Sequence, residues 1–331
     1  MKIIVPMAGI GKRMRPHTLT VPKPLIPVAG KPIVQRLVEG IAEVCNEKIE
    51  EISFVIGDFG VEVENSLLKI AEDLGARGKI FYQEEALGTA HAVICAEESL
   101  EDKVIVAFAD TLFYSDFHLD EDKDGIIWVD KVDDPTAFGV VQVDENGIIA
   151  EFVEKPEEFV SDLAIIGIYY FKDGNNLKEE IKYLIDNKIT DKGEYQLTNA
   201  LENMKSKGKK FYPGKVEEWL DCGNKNATIY TNNRVLERTG HRQASNVSIN
   251  NSVIIEPCFI GENVVLNDCV VGPHVSIGIG SKLNDVVMKN SIVQNETEIG
   301  YEIIENSMIG SHVQYKGKSK ELNLGDYNQV N

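Results

Sequence analysis

The residues best suited to chemistry gather between Met1 and Pro32, where the apolar run Ile3-Ile4-Val5 breaks into a glycine loop and then a line of cations. Gly9 and Gly11 follow Ala8 and bracket Ile10. Lys12, Arg13, Arg15, Lys23 and Lys31 come after them, with Pro16, Pro22, Pro24, Pro27 and Pro32 stiffening the path. A backbone without a Cβ approaches a phosphate closely and turns its N–H groups toward it. Ammonium and guanidinium groups then neutralise what is bound. The pattern is not a dinucleotide-binding turn, which needs a third glycine where Met14 stands. Nor is it a Walker A loop, because Gly11-Lys12 runs into Arg13 in place of a serine or threonine. It reads as a phosphate site of another kind, against the plainer alternative of a strand-to-helix turn with surface lysines.

Such a site needs a sheet to hold it. Ile33 to Val44 has apolar residues at helical spacing, and Ile52 to Gly57 is a short β-branched and aromatic run ending at glycine. A helical pattern from Val61 to Leu74, a strand at Ile80 to Tyr82, a helix opening near Gly88 and a strand at Val104 to Ala109 follow. Alternation at these lengths predicts βαβ units and a mainly parallel sheet covered on both faces, with ligands beyond the carboxyl ends of its strands. The glycine loop and Asp110 would lie there. From Trp128 to Phe171 the pattern changes to short alternating segments, read as antiparallel strands. Helical stretches at Asn176 to Asp186 and Glu194 to Lys205 come next, and then a strand-like piece, Trp219-Leu220-Asp221-Cys222-Gly223.

Glu237 to Ser245 is polar and basic and reads as a linker, dividing a domain over 1–236 from one over 246–317. In that second segment aliphatic residues recur every six places: Ile254, Ile260 and Leu266 in one phase, Val265, Val271, Ile277 and Leu283 in the next. Ile260-Gly261, Val271-Gly272, Ile277-Gly278 and Ile309-Gly310 add aliphatic-glycine pairs. This predicts a short left-handed parallel β-helix, whose aliphatic residues point into a prism, rather than a β-sandwich of period two. The phase slip near Leu266 implies a bulge or loop. Residues 318–331 form a polar tail.

With 331 residues, 43% of them hydrophobic, the chain can build a sizeable core, and its length predicts two domains. A net charge of −19 works against binding a nucleic-acid backbone, so no nucleic-acid partner is expected. No apolar run reaches ~18 residues, and the N-terminus lacks a signal-peptide pattern; the expectation is a cytoplasmic protein without a membrane partner. Five widely spaced cysteines without a C-x-x-C pair suggest reduced thiols, of which Cys222 adjoins Asp221.

The ordered motifs resemble those of the sugar-1-phosphate nucleotidyltransferases, the nucleoside diphosphate sugar pyrophosphorylases. Met7-Ala8-Gly9-Ile10-Gly11-Lys12-Arg13 followed by Lys23-Pro24-Leu25 matches their signature, with Lys12 in place of the usual threonine. The resemblance implies a Rossmann-like α/β domain that joins an NTP and a sugar 1-phosphate, releasing pyrophosphate. Arg13 and Lys23 would be catalytic. Ala8, Gly9, Gly11, Lys12, Gln83 and Gly88 would bind nucleotide, with the Gln83 amide offering a donor and an acceptor to a pyrimidine. Gly139, Glu154, Lys155 and Glu194 would bind the sugar phosphate, Glu194 being equally a helix-start carboxylate. Asp110 and Asp221 would hold Mg²⁺. Ala109 replaces the glycine usual before the first aspartate, and Ile166 stands where an asparagine is usual.

Such chemistry needs no general base. A phosphate monoester with a second pKa of about 6 is already a nucleophile at neutral pH, so positioning and charge neutralisation suffice. The best single substrate pair is dTTP with glucose 1-phosphate, and UTP stands close behind. Two rivals follow from the β-helix. One is a bifunctional enzyme with an acyltransferase site, for which His274 or His312 would supply the base. The other is a catalytically silent nucleotide-sugar-binding subunit. The β-helix itself is expected to serve a homo-oligomer interface or an effector site.

Overall fold

Ile3, Ile4 and Val5 of β1 (Lys2–Pro6) have no solvent exposure, as expected of a central strand buried on both faces. In the computed structural model, which describes residues 1–116 and 118–318, the chain forms two units. One comprises Met1–Ile26 and Pro32–Gly223; the other takes Pro27–Lys31 and the chain from Asn224 onward.

In the first unit β1 leads to α1 (Ile33–Val44), β2 (Glu51–Ile56), α2 (Val61–Asp73), β3 (Arg77–Tyr82), α3 (Thr89–Ile94) and β4 (Val104–Ala107). β5 (Thr111–Tyr114), β6 (Gly125–Lys131), β7 (Gly139–Val143), β8 (Ile149–Glu154) and β9 (Leu163–Phe171) follow. The unit ends with α4 (Gly174–Asp186), α5 (Leu197–Ser206), β10 (Phe211–Lys215) and β11 (Glu218–Asp221). Nine strands form one mixed sheet in the order β8-β7-β9-β4-β1-β2-β3, with β6 beside β9 and β10 beside β6. β4, β1, β2 and β3 run parallel, and β9 joins β4 antiparallel. A register shift between Ile165 and Tyr169 interrupts the pairing of β9 with β6. Phe152 and Phe171 both pack edge-on against Phe211 in the core beneath.

α1 spans the predicted residues. Three expectations change. The strand expected to reach Ala109 stops at Ala107, leaving Phe108 to Asp110 to turn out of the sheet. The helix expected from Glu194 begins at Leu197, because residues 195 and 196 are extended and bonded to the segment before α3. β10 was hidden by Pro213, tolerable because β10 has one neighbour, parallel β6.

In the second unit the supposed linker is mostly ordered. α6 (Lys225–Thr239) runs through its first three residues, opened by the Asn224 side chain accepting from the Ala227 N–H. Arg242–Gln243 then pairs in parallel with residues 259–260 as the start of the β-helix. Each strand stacks on its equivalent one coil later: Ser248 on Val265, Val265 on Lys282, Lys282 on Glu298 and Glu298 on Gln314.

Successive coils therefore contain 17, 17, 16 and 16 residues, and the strict period of six is corrected. Leu266 is buried and Val265 partly exposed, so the inward ladder runs Ile260, Leu266, Val271, Ile277, Leu283, Met288 and Val293. The slip at Leu266 is a five-residue step, not a bulge. One residue in the left-handed region turns that corner in successive coils: Asn251, Asp268, Asp285 and Tyr301. Corners containing Pro257 and Pro273 take six residues in early coils; single left-handed Asn290 and Asn306 shorten them later. Asn232 of α6, fully buried, accepts from the Ala29 N–H at 2.9 Å and the Ser276 hydroxyl at 2.6 Å, tying the Pro27–Lys31 loop, helix and coils of this unit together. Of the expected tail, residues 319–331 lie outside the described residues.

Candidate active site

Where β1 ends, Met7 still bonds to β2 through the Val55 carbonyl at 2.8 Å, and the chain then leaves the sheet at Ala8 and Gly9. Gly11 adopts φ +62, and its carbonyl accepts from the Thr18 hydroxyl and the Met14 N–H, both at 2.9 Å. A side chain there would press on Lys23 Cβ at 3.1 Å and Thr18 Cγ2 at 3.2 Å, so glycine is required by conformation and by space. Lys23 is the first residue of a one-turn 3₁₀ helix, Lys23–Leu25.

Its ammonium Nζ lies 2.6 Å from Asp110 Oδ2. Asp110 sits in the turn between β4 and β5. Antiparallel pairing of β5 with β11 sets Asp221 opposite Thr111, and the Cys222 N–H donates to the Asp110 carbonyl at 2.9 Å. The two carboxylates, over a hundred residues apart in sequence, thus converge. Burial, and next the charge of Asp110, raise the Asp221 carboxyl above its ordinary value; the Gly223 N–H at 2.8 Å, Lys23 and Arg13 act in the opposite direction. Arg13 belongs to the same group: a Cβ on Gly223 would stand 3.4 Å from its Nη2 and 2.9 Å from Asp221 Oδ1.

A cleft of about 290 Å³ opens above these residues. Ala8, Gly9, Gly11, Lys23, Gln83, Gly88, Asp110 and Glu194 all line it. Gly88, at φ +117, faces the Tyr195 backbone: a Cβ would be 2.5 Å from the Tyr195 oxygen. The glycine there is required by this contact within the protein, which joins the segment before α3 to that before α5. Glu194 accepts from Gln196 Nε2 at 3.0 Å and lies outside the first turn of α5. Lys12 is exposed in its own 3₁₀ turn and does not line the cleft.

Gly139, Glu154 and Lys155 form a second group. Gly139 pairs with Glu154 across β7 and β8; the Thr198 hydroxyl donates to Glu154 Oε2 at 3.3 Å, and Lys155 Nζ lies 3.6 Å from Glu154 Oε1. Phe138, beside Gly139, packs edge-on against Trp219 at 5.1 Å, connecting this group to the strand that carries Asp221. Sequence reasoning missed Phe108, which lines the cleft and packs on Tyr169, and the alanines 86 and 92. Only the aromatic at the end of an apolar run could have signalled Phe108; the alanines carry no signal. In the second unit His274 is held by Glu237 at 3.3 Å and by Asn290 at 3.3 Å, while exposed His312 pairs with Glu296. No helix is long and apolar enough to cross a membrane among the described residues.

Residues 2–238 match the Nucleotidyl transferase family. Over 96% of its length the chain is 32% identical to the bifunctional protein GlmU of Methanococcus maripaludis, covering 77% of that protein. It is 29% identical to a glucose-1-phosphate thymidylyltransferase of Streptomyces antibioticus, covering 100% of this chain and 99% of the relative. A crystal structure of UDP-glucose pyrophosphorylase with UDP-glucose superposes with a TM-score of 0.60 at 25% identity, covering 72% of this chain and 98% of that one.

Proposed function

The chain belongs to the Nucleotidyl transferase family, and from that premise we propose that it transfers a nucleoside monophosphate from an NTP to a sugar 1-phosphate, with dTTP and glucose 1-phosphate as first choice and UTP next. The observation that carries this reading is the convergence of Lys23, Asp110 and Asp221 at the mouth of the glycine loop. The loop N–H groups, Lys23 and Arg13 neutralise the triphosphate and the charge that develops as pyrophosphate leaves. Lys155 holds the sugar phosphate, and Glu154, braced by Thr198, accepts from a sugar hydroxyl. An oxygen of the sugar phosphate attacks the α-phosphorus directly; no protein base takes a proton.

Asp110 and Asp221 suit Mg²⁺. Two close carboxylates, one raised by burial and by the other's charge, form a hard oxygen donor set, and no larger His/Cys/Asp/Glu group exists among the described residues. Two are enough for an ion that completes its shell with water and phosphate oxygens. When bound, Mg²⁺ supplies charge neutralisation to the phosphates.

Pyrophosphate release is the test, run with purified protein and Mg²⁺ over five nucleoside triphosphates and the 1-phosphates of glucose, mannose, galactose and N-acetylglucosamine. Release confined to thymidine or uridine triphosphate with one sugar, and abolished by EDTA, is expected. A blank grid would overturn the reading.

A further inference from the structure

Gln83 has two amide N–H donors and one carbonyl acceptor. Its Nε2 lies 3.1 Å from His91 Nδ1 and 3.4 Å from the Gly88 carbonyl oxygen. A carbonyl oxygen only accepts, so Gly88 decides which end of the amide faces it; the flipped amide would set two oxygens against each other. With the amide so oriented, His91 Nδ1 must be an acceptor too, and the ring proton resides on Nε2. Both Gln83 donors are thereby committed within the protein. Gln83 lines the cleft, and the polar atom left to a ligand is Oε1, an acceptor.

This changes what a base can do there. We propose that His91 is a positioning residue for nucleobase selection: by holding Gln83 as an acceptor-only contact, it restricts the enzyme to triphosphates whose base carries an N–H at the centre of its Watson–Crick edge. The inference rests on the reading of the cleft as a nucleotide site. Uracil and thymine present N3–H to Oε1. Cytosine presents an unprotonated N3, which sets lone pair against lone pair, and a buried acceptor left unpaired is costly. UTP and CTP differ only along this edge and are the discriminating pair. His91 lies on α3, one turn from Gly88, so the glycine that fixes the loop and the histidine that fixes the amide come from one short segment.

The test compares the parent with His91→Asn, whose side-chain oxygen can accept in place of Nδ1, and His91→Leu, which cannot. Steady-state pyrophosphate release gives kcat and KM for UTP and CTP with one sugar 1-phosphate, and calorimetric titration gives affinity for each triphosphate alone. The parent should favour UTP by about a hundredfold in kcat/KM. His91→Leu should cut that preference about tenfold, chiefly through KM for UTP, and His91→Asn should keep it within about threefold.

A merely structural histidine would lower both triphosphates together and leave the ratio untouched. An unchanged ratio in His91→Leu, or equal losses in the Asn and Leu variants, overturns the proposal. So does a parent that uses CTP as well as UTP, a result available even if His91→Leu does not fold. A parent inactive with every triphosphate would instead overturn the nucleotidyltransferase reading beneath it.

Discussion

Lys23 Nζ stands 2.6 Å from Asp110 Oδ2, and the charges of both groups reach the Asp221 carboxyl. The lysine is an internal counter-ion where two acids meet, so Asp110 and Lys23 should fail differently. Asp110→Asn removes a proposed Mg²⁺ ligand while keeping shape; turnover should fall at least about 100-fold and the Mg²⁺ concentration needed for half activity should rise. Lys23→Ala should also lose about 100-fold in kcat/KM, yet leave that Mg²⁺ requirement little changed or lower, since the ion no longer competes with an ammonium. Pyrophosphate release titrated with MgCl₂ separates the two.

Gly88 is the position where a methyl group should do most harm in the cleft. Its φ of +117 is foreign to L side chains, and the Tyr195 oxygen and nitrogen lie 2.5 and 2.6 Å from where a Cβ would stand. Backbone cannot swing aside as a side-chain tip can. Gly88→Ala should cost about 2–4 kcal/mol and weaken nucleotide binding by loosening the segment around Gln83. Calorimetric melting with and without UTP would measure both. A parent-like melting temperature would show that the loop can move away from Tyr195.

How far the sequence carried depended on whether a feature is local. The short apolar runs that make β1 to β4, the Gly9-x-Gly11 loop and the Lys23-Pro24 pair are local, and each was legible. Asp110 and Asp221 could be named from motif order, but their convergence depends on β5 pairing with β11, and β5 left no periodic trace in four residues. The committed donors of Gln83 were invisible for the same reason: His91 is eight residues on, and only the folding of α3 over the strand end brings them to 3.1 Å. In the β-helix the aliphatic repeat was plain. Its true steps are a mixture of five and six, because a single left-handed residue can turn a corner that otherwise takes one residue more.

Glu51 gives a pH test remote from the cleft. It is buried at the start of β2; burial pushes its carboxyl up, but hydrogen bonds from Ser99, Arg77 and Lys79 outweigh that and hold it down at about 2, against an ordinary 4.5. A carboxylate depressed in the folded state contributes stability that is fully present above about pH 4.5 and lost as pH falls toward 2. Allowing for the exposure of Arg77, the contribution is about 2 kcal/mol. Glu51→Gln should lower stability by about that amount at pH 7 and by little near pH 2. Urea unfolding at both values measures it, and an equal loss at both would place the effect in packing instead of charge.

Asn232 should be the most sensitive polar residue of the second unit. Its Oδ1 is a shared acceptor for the Ala29 N–H and the Ser276 hydroxyl, and it is fully buried. Removing one buried acceptor that serves two donors costs more than a typical hydrogen bond, since their desolvation is no longer offset. Asn232→Ala should destabilise by about 2–3 kcal/mol. Because the hydroxyl donates to the same atom, Ser276→Ala should cost about 1 kcal/mol in the parent and almost nothing in the Asn232→Ala background. A double-mutant cycle by calorimetry reads this coupling directly; additive losses would mean that the two side chains act independently.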